Sequence, residues 1–125
     1  MLKELHTVLP AADLRRAQAF YHDALELDPA EAHEESRTLV YRTGAGGTFE
    51  IYETSNAGTA RNTQMCWTTD DLDAEMSRLR ERGVVFEDYD VPGLKTVNGV
   101  AATDEMKSAW FRDTEGNFIC IFQML

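Results

Sequence analysis

The chain runs through one pattern of elements twice, and a repeat of that kind leaves few folds open to it. The first pass opens with a short strand over Leu5 to Pro10. Asp13 follows as a helix cap, because its carboxylate can accept the free N–H groups of a first turn. Leu14, Ala17, Phe20, Tyr21, Ala24 and Leu25 then recur at helical spacing, with Arg15, Arg16, Gln18 and Asp23 on the wet side. A weak strand at 30–34 and a firmer one over Thr38 to Arg42 lead to Gly44-Ala45-Gly46-Gly47, a hairpin turn, and a strand over Thr48 to Glu53.

Residues 55–62 are small and polar, as a linker should be, and then the order starts again. Gln64 to Thr69 is rich in β formers. Asp70-Asp71 caps a helix with apolar positions Leu72, Met76 and Leu79, and Gly83 ends it. Val84-Val85-Phe86 opens the next expected strand, and Ser108 to Arg112 with Asn117 to Gln123 forms a closing hairpin around Asp113-Thr114-Glu115-Gly116. Laid over each other, Asp13-Leu14 falls on Asp71-Leu72, Tyr41-Arg42 on Phe111-Arg112, and Gly46 on Gly116. The second half is longer, and the extra length is expected in the 92–107 segment. Pro92-Gly93 and Asn98-Gly99 give that segment turn chemistry, so it is expected to close as a flap beside a binding cavity. The chain is therefore read as one α+β domain, residues 1–125, made of two β-α-β-β-β modules at about 3–54 and 63–125.

Charge narrows the partners. Lys plus Arg number 12 against 22 Asp plus Glu, a formal net charge of −10. Such a surface repels phosphate backbones and anionic membranes, so neither nucleic acid nor a membrane is expected as partner. No apolar run approaches the roughly 20 residues of a membrane span, and the amino-terminal stretch lacks the pattern of a secretory leader. Two cysteines, Cys66 and Cys120, do not make a disulfide framework. A cytoplasmic location is expected.

Two stretches carry a resemblance. Leu5-His6-Thr7-Val8-Leu9-Pro10-Ala11-Ala12-Asp13-Leu14, running into Ala19-Phe20-Tyr21, and Trp110-Phe111-Arg112-Asp113-Thr114-Glu115-Gly116-Asn117-Phe118-Ile119 resemble the opening and ending of vicinal-oxygen-chelate domains, the glyoxalase/bleomycin-resistance/dioxygenase fold. The resemblance implies paired curved sheets around a cavity with helices outside, and a homodimer. It also implies four metal-ligand positions on the first and last strands of the modules, here His6, Glu50, Gln64 and Cys120. The repeat independently carries His6 to Gln64 and Glu50 to Cys120.

Strand alternation extends that set into a candidate ligand pocket: His6, Val8, Glu50, Tyr52, Gln64, Cys66, Phe118, Cys120 and Phe122, joined by Trp110 or Phe111. His6 and Glu50 suit a divalent Zn, Ni, Mn or Fe, whereas Gln64 is a weak donor and Cys120 a soft one. Dioxygenase and fosfomycin-type transferase chemistry is disfavoured, since only His6 of their ligand set is present. No cofactor is the primary expectation, with a metal on His6 and Glu50 as the alternative. Two functions stay open: a small-molecule-binding, drug- or metabolite-sequestering protein like the bleomycin-resistance proteins, or a glyoxalase-like lyase or isomerase. In the second, Glu50 is the candidate general base and His6 its catalytic partner. Cys66 and Cys120 are expected to pack as small buried apolar side chains.

Overall fold

The computed structural model describes residues 1–125. They divide into two compact units, residues 1–60 with 114–117, and residues 61–113 with 118–125. In the first unit β1 (Thr7–Ala11), α1 (Leu14–Leu25), β2 (Glu31–His33), β3 (Thr38–Arg42) and β4 (Thr48–Glu53) form a four-stranded sheet ordered β1-β4-β3-β2 with one helix. β1 runs parallel to β4, and the other pairs are antiparallel. α1 starts where expected, with the Asp13 carboxylate accepting the Arg16 N–H. It stops at Glu26, whose backbone turns left-handed at φ 57°.

Leu9, Ala11, Tyr41, Phe49 and Ile51 are buried with Leu14, Ala17, Tyr21 and Ala24 of α1. Tyr41 stacks on Phe49 with ring centroids 4.6 Å apart, and Tyr21 packs against both at 5.8 and 5.7 Å. Removing each of these rings from water contributes about 2–3 kcal/mol, which makes this the face that fixes the strand register. The alternate residues Val8, Glu50 and Tyr52 are left on the opposite, open face.

The second unit repeats the plan. β5 (Thr63–Thr68), α2 (Leu72–Glu81), β8 (Ala101–Ala102), β9 (Met106–Arg112) and β10 (Phe118–Met124) give a sheet ordered β5-β10-β9-β8. Its core is Met65, Leu72, Met76, Leu79, Ala109, Phe111, Ile119 and Ile121. The repeat extends to single hydrogen bonds. Val8 is the register partner of Glu50, and Cys66, in the corresponding place, is that of Cys120. The Glu53 carboxylate accepts the Leu14 N–H at 3.1 Å, and the Gln123 amide oxygen accepts the Leu72 N–H at 3.0 Å.

Two expectations are corrected at the sheet edge. Val84-Val85-Phe86 forms no strand; Phe86 makes a single bridge to Phe111, Glu87 N–H reaches the Trp110 carbonyl, and the chain then leaves the sheet. It returns as β8, beside Ser108 and Lys107. In the first unit the matching bonds run from Ala30 to Val40 and from His33 to Thr38 with only Glu31 and Ala32 between. The insertion is therefore 88–100, inside the edge strand, rather than 92–107. It holds the small hairpin β6 (Asp90–Val91) and β7 (Leu94–Lys95).

The insertion does not close as a flap along its whole length: Tyr89, near its start, stands beside Trp110, and its far end packs elsewhere. One Asp88 carboxylate oxygen accepts from both the Thr96 hydroxyl and the Gly99 N–H at 2.8 Å. Gly99, at φ +82°, lies so close to Phe86, Met76 and Arg80 that a Cβ would sit 3.1–3.3 Å from them. Arg80 also donates to the Asn98 carbonyl at 2.9 Å. The Asn98–Gly99 end of the segment is thus seated on α2.

The 114–117 turn belongs to the first unit and supplies its most buried charge. The Glu115 side chain is fully buried, and its carboxylate accepts the Ala12 and Asp13 N–H groups at 2.9 and 3.0 Å, the Arg16 guanidinium at 2.8 Å and the Thr114 hydroxyl at 2.9 Å. Asn117 donates to the Pro10 carbonyl at 2.9 Å. Burial pushes the Glu115 carboxyl upward, but Arg16, the Asp13 N–H and Thr114 outweigh it and hold it below the ordinary carboxylate value. A depressed carboxylate contributes stability that is complete above the unfolded value near about 4.3 and is lost as pH falls through the folded one. Glu115→Ala is expected to cost about 2–4 kcal/mol in urea unfolding at pH 7, because it strands buried donors. The gap from the unsubstituted chain should narrow in acid, and equal stability at pH 7 would refute the assignment.

Candidate functional site

In the first unit the open face is centred on Glu50. Its ladder neighbours are Val8 on β1 and Val40 on β3. His6, one step before β1 begins, lies diagonally across, and its Nδ1 meets Glu50 Oε2 at 2.5 Å, with both side chains about a quarter exposed. The same ring turns Nε2 to Glu4 Oε2 at 2.9 Å. The imidazole is thus held between two carboxylates. The hydrogen bond to Glu4, then that to Glu50, raises the His6 pKa above its ordinary value. Glu4 was not singled out in the sequence. The available signal was spacing, since residues two apart in extended chain share a side.

Tyr52, 40% exposed, and Val8, 52% exposed, complete this face. Structure thus brings His6 and Glu50 into direct contact, and Val8 and Tyr52 stand on the same side.

In the second unit the corresponding face is aromatic. Trp110, Phe118 and Phe122 are partly exposed there, with Cys66 exposed and Cys120 buried. The choice between Trp110 and Phe111 is settled by packing: Phe111 is fully buried on the helix side, and Trp110 is the ladder partner of Cys120 on the open side. The Trp110 indole N–H donates to the Thr63 hydroxyl at 3.1 Å, and Tyr89 stands edge-on to its ring at 5.8 Å. The Arg112 guanidinium lies 5.7 Å from the Phe118 ring centroid. Thr63 and Tyr89 are further members of this face that strand alternation alone did not reach.

Gln64 behaves differently from His6. The β5–β10 register jumps from Phe118↔Thr63 to Ile119↔Met65, so Gln64 is the extra residue of a bulge. Its amide oxygen accepts the Phe118 N–H at 3.0 Å instead of reaching toward Cys120. Cys120 is paired with Cys66. Burial pushes the Cys120 thiol up to about 12, and the neighbouring Cys66 sulfur adds to this. Cys66 itself is exposed, against the expectation that it packs as a buried apolar side chain.

These contacts test the donor set for a divalent ion. The Gln64 oxygen is already used by the backbone, the Cys120 sulfur is held as a neutral thiol, and both His6 nitrogens face carboxylates. A hard divalent ion needs free oxygen or nitrogen lone pairs and deprotonated ligands. Within the second unit, Gln64 and Cys120 do not offer such a pair of ligands.

Residues 4–121 match the model of the Glyoxalase/Bleomycin resistance protein/Dioxygenase superfamily. Among solved structures the chain is similar to TnmS3, an antibiotic binding protein from Streptomyces sp. CB03234, at 24% identity and TM-score 0.77, covering 100% of this chain and 98% of that one. It is similar to UcmS2 at 18% identity and TM-score 0.76, covering 98% of each chain. A glyoxalase/bleomycin resistance protein from Catenulispora acidiphila DSM 44928 matches at 26% identity and TM-score 0.65, covering 95% of this chain and 96% of that one. No curated protein matches the chain by sequence.

The His6 environment gives a measurable sign. A raised histidine pKa contributes stability that is present below the unfolded value of about 6.5 and lost as pH rises through the folded value. An NMR titration assigned with His6→Gln should place the His6 midpoint above about 6.5. Glu4→Gln and Glu50→Gln should each lower it, and a midpoint insensitive to both would break the three-residue arrangement.

Proposed function

The chain belongs to the glyoxalase/bleomycin resistance/dioxygenase superfamily, and on that footing we propose that it binds and sequesters a small aromatic molecule, such as a drug or metabolite, without a metal. The observation that carries this reading is the aromatic open face of the second unit. Trp110 is pinned there through Thr63 and edged by Tyr89, and Phe118 and Phe122 extend the surface. Rigid aromatic side chains bind flat ligands at little entropic cost, and a net charge of −10 favours a cationic one. The antibiotic-binding description of TnmS3 supports a small-molecule ligand. On this reading the protein works as a cytoplasmic homodimer; the exposed Val8 and Tyr52 of the first unit are consistent with a surface that takes a partner.

The His6–Glu50 contact favours a second reading, a lyase or isomerase of the glyoxalase type. Glu50 would take a proton from carbon beside a carbonyl, and His6 would stabilise the enolate oxygen that forms. Neither residue needs a metal for those roles.

Calorimetric titration with bleomycin and with ethidium, a planar aromatic cation, tests the first reading. Binding should be measurable for at least one, and Trp110→Ala should weaken it about tenfold, equivalent to about 1.4 kcal/mol, with the circular dichroism of the variant unchanged. Equal affinity in the variant, or no binding by either compound, counts against it. Exchange of the carbon-bound proton of the methylglyoxal–glutathione hemithioacetal in D2O tests the second. Exchange above buffer that disappears in Glu50→Gln would establish catalysis instead.

A further inference from the structure

Cys66 and Cys120 occupy one rung of the second unit's sheet. They are direct register partners on the parallel strands β5 and β10, and strand alternation sends both side chains to the open face. Neighbouring strands lie about 4.7–4.9 Å apart. Two cysteines are bridged when their Cα atoms are about 4.4–6.8 Å apart with side chains on one side. The Cys66 sulfur is near enough to help raise the Cys120 pKa, in keeping with that placement. Both are free, with Cys66 exposed and Cys120 buried. One residue is thus open to an oxidant in solution, and the other is shielded from it.

From this geometry we infer that Cys66 and Cys120 form a reversible cross-strand disulfide, with Cys66 as the residue that meets the oxidant and Cys120 as the one that resolves it. With hydrogen peroxide as oxidant, the Cys66 sulfur attacks one peroxide oxygen and the O–O bond breaks. Cys66 becomes a sulfenic acid, and one water leaves. The Cys120 sulfur then attacks the Cys66 sulfur. The S–S bond forms, the S–O bond breaks, and the departing hydroxide takes the Cys120 proton as a second water. Two thiols have together lost two electrons to one peroxide. Burial raises the Cys120 pKa, so this second step needs an unfavourable deprotonation and runs faster at alkaline pH. The sulfenic acid on Cys66 therefore persists long enough at neutral pH to be trapped. A bridge with one exposed end belongs to the more reducible class, which suits reversal by thiols. None of this depends on the ligand or on whether the protein is catalytic.

The test uses the full chain and hydrogen peroxide, read by intact mass under non-reducing conditions and by peptide mapping. The expected product is a monomer lacking two hydrogens, with the Cys66 and Cys120 peptides linked and the mass restored by dithiothreitol. Its rate of appearance should increase from pH 7 to pH 9. Dimedone should label Cys66 in competition with the bridge, and more completely in Cys120→Ala, which has no resolving thiol. Cys66→Ala should gain no dimedone and form no bridge. The inference is overturned if peroxide adds oxygen to Cys66 in the unsubstituted chain while Cys120 still titrates as a thiol. It is equally overturned if the only disulfide found joins two chains. The mapping is done on the unsubstituted protein, so it decides the matter even if a variant fails to fold.

Discussion

A helix presents N–H groups at its start that no turn of its own can satisfy, and both units answer with a side chain from the end of the closing strand. Glu53 takes the Leu14 N–H and Gln123 takes the Leu72 N–H. Asp13 and Asp71 take the next ones, from Arg16 and Ala74. The bond from strand end to helix start lays the helix across one face of its sheet, and the aromatic and aliphatic core follows from that placement. Much of the other face is released from core packing. Glu50 and His6 in one unit, and Trp110, Cys66 and Phe122 in the other, can be polar, reactive or half-exposed because the fold does not need them.

The repeat made the architecture legible before any coordinates. Apolar positions at helical spacing, capping aspartates and glycine turns each acted locally, and the structure places both helices and both hairpins where those signals stand. Candidate site positions were legible only where the ladder is regular. His6 and Glu50 meet because β1 and β4 keep register, whereas the bulge at Gln64 breaks the alternation that sequence reasoning relies on. A bulge adds one residue with no signature of its own. The edge strand was misplaced for a related reason: Val84-Val85-Phe86 has strand composition, but a strand exists only if a partner accepts it along its length. The choice between Trp110 and Phe111 needed the helix on one side of the sheet to be known.

Equivalent places in the two units hold different chemistry. The rung that carries Val8 and Glu50 in the first carries Cys66 and Cys120 in the second. The first unit gathers charge around an imidazole, where pH sets the balance. The second gathers sulfur and aromatic rings, where desolvation and oxidation state do. Because each set projects from the face that the core does not use, the two diverged without disturbing the helices behind them.

The position of the 88–100 insertion has a consequence for how such a chain can change over time. A residue added to a central strand reverses the facing of every side chain beyond it and exchanges core for surface. β8 is bonded on one side only, so length added beside it is absorbed outside the ladder, and Asp88 and Gly99 close the excursion by themselves. Descendants of this sequence can lengthen or trim that excursion while Cys120 and Phe118 keep their places in the ladder. Surface variety can thereby reach the residues that would meet a ligand through the Tyr89 side chain, without altering the ladder that holds them.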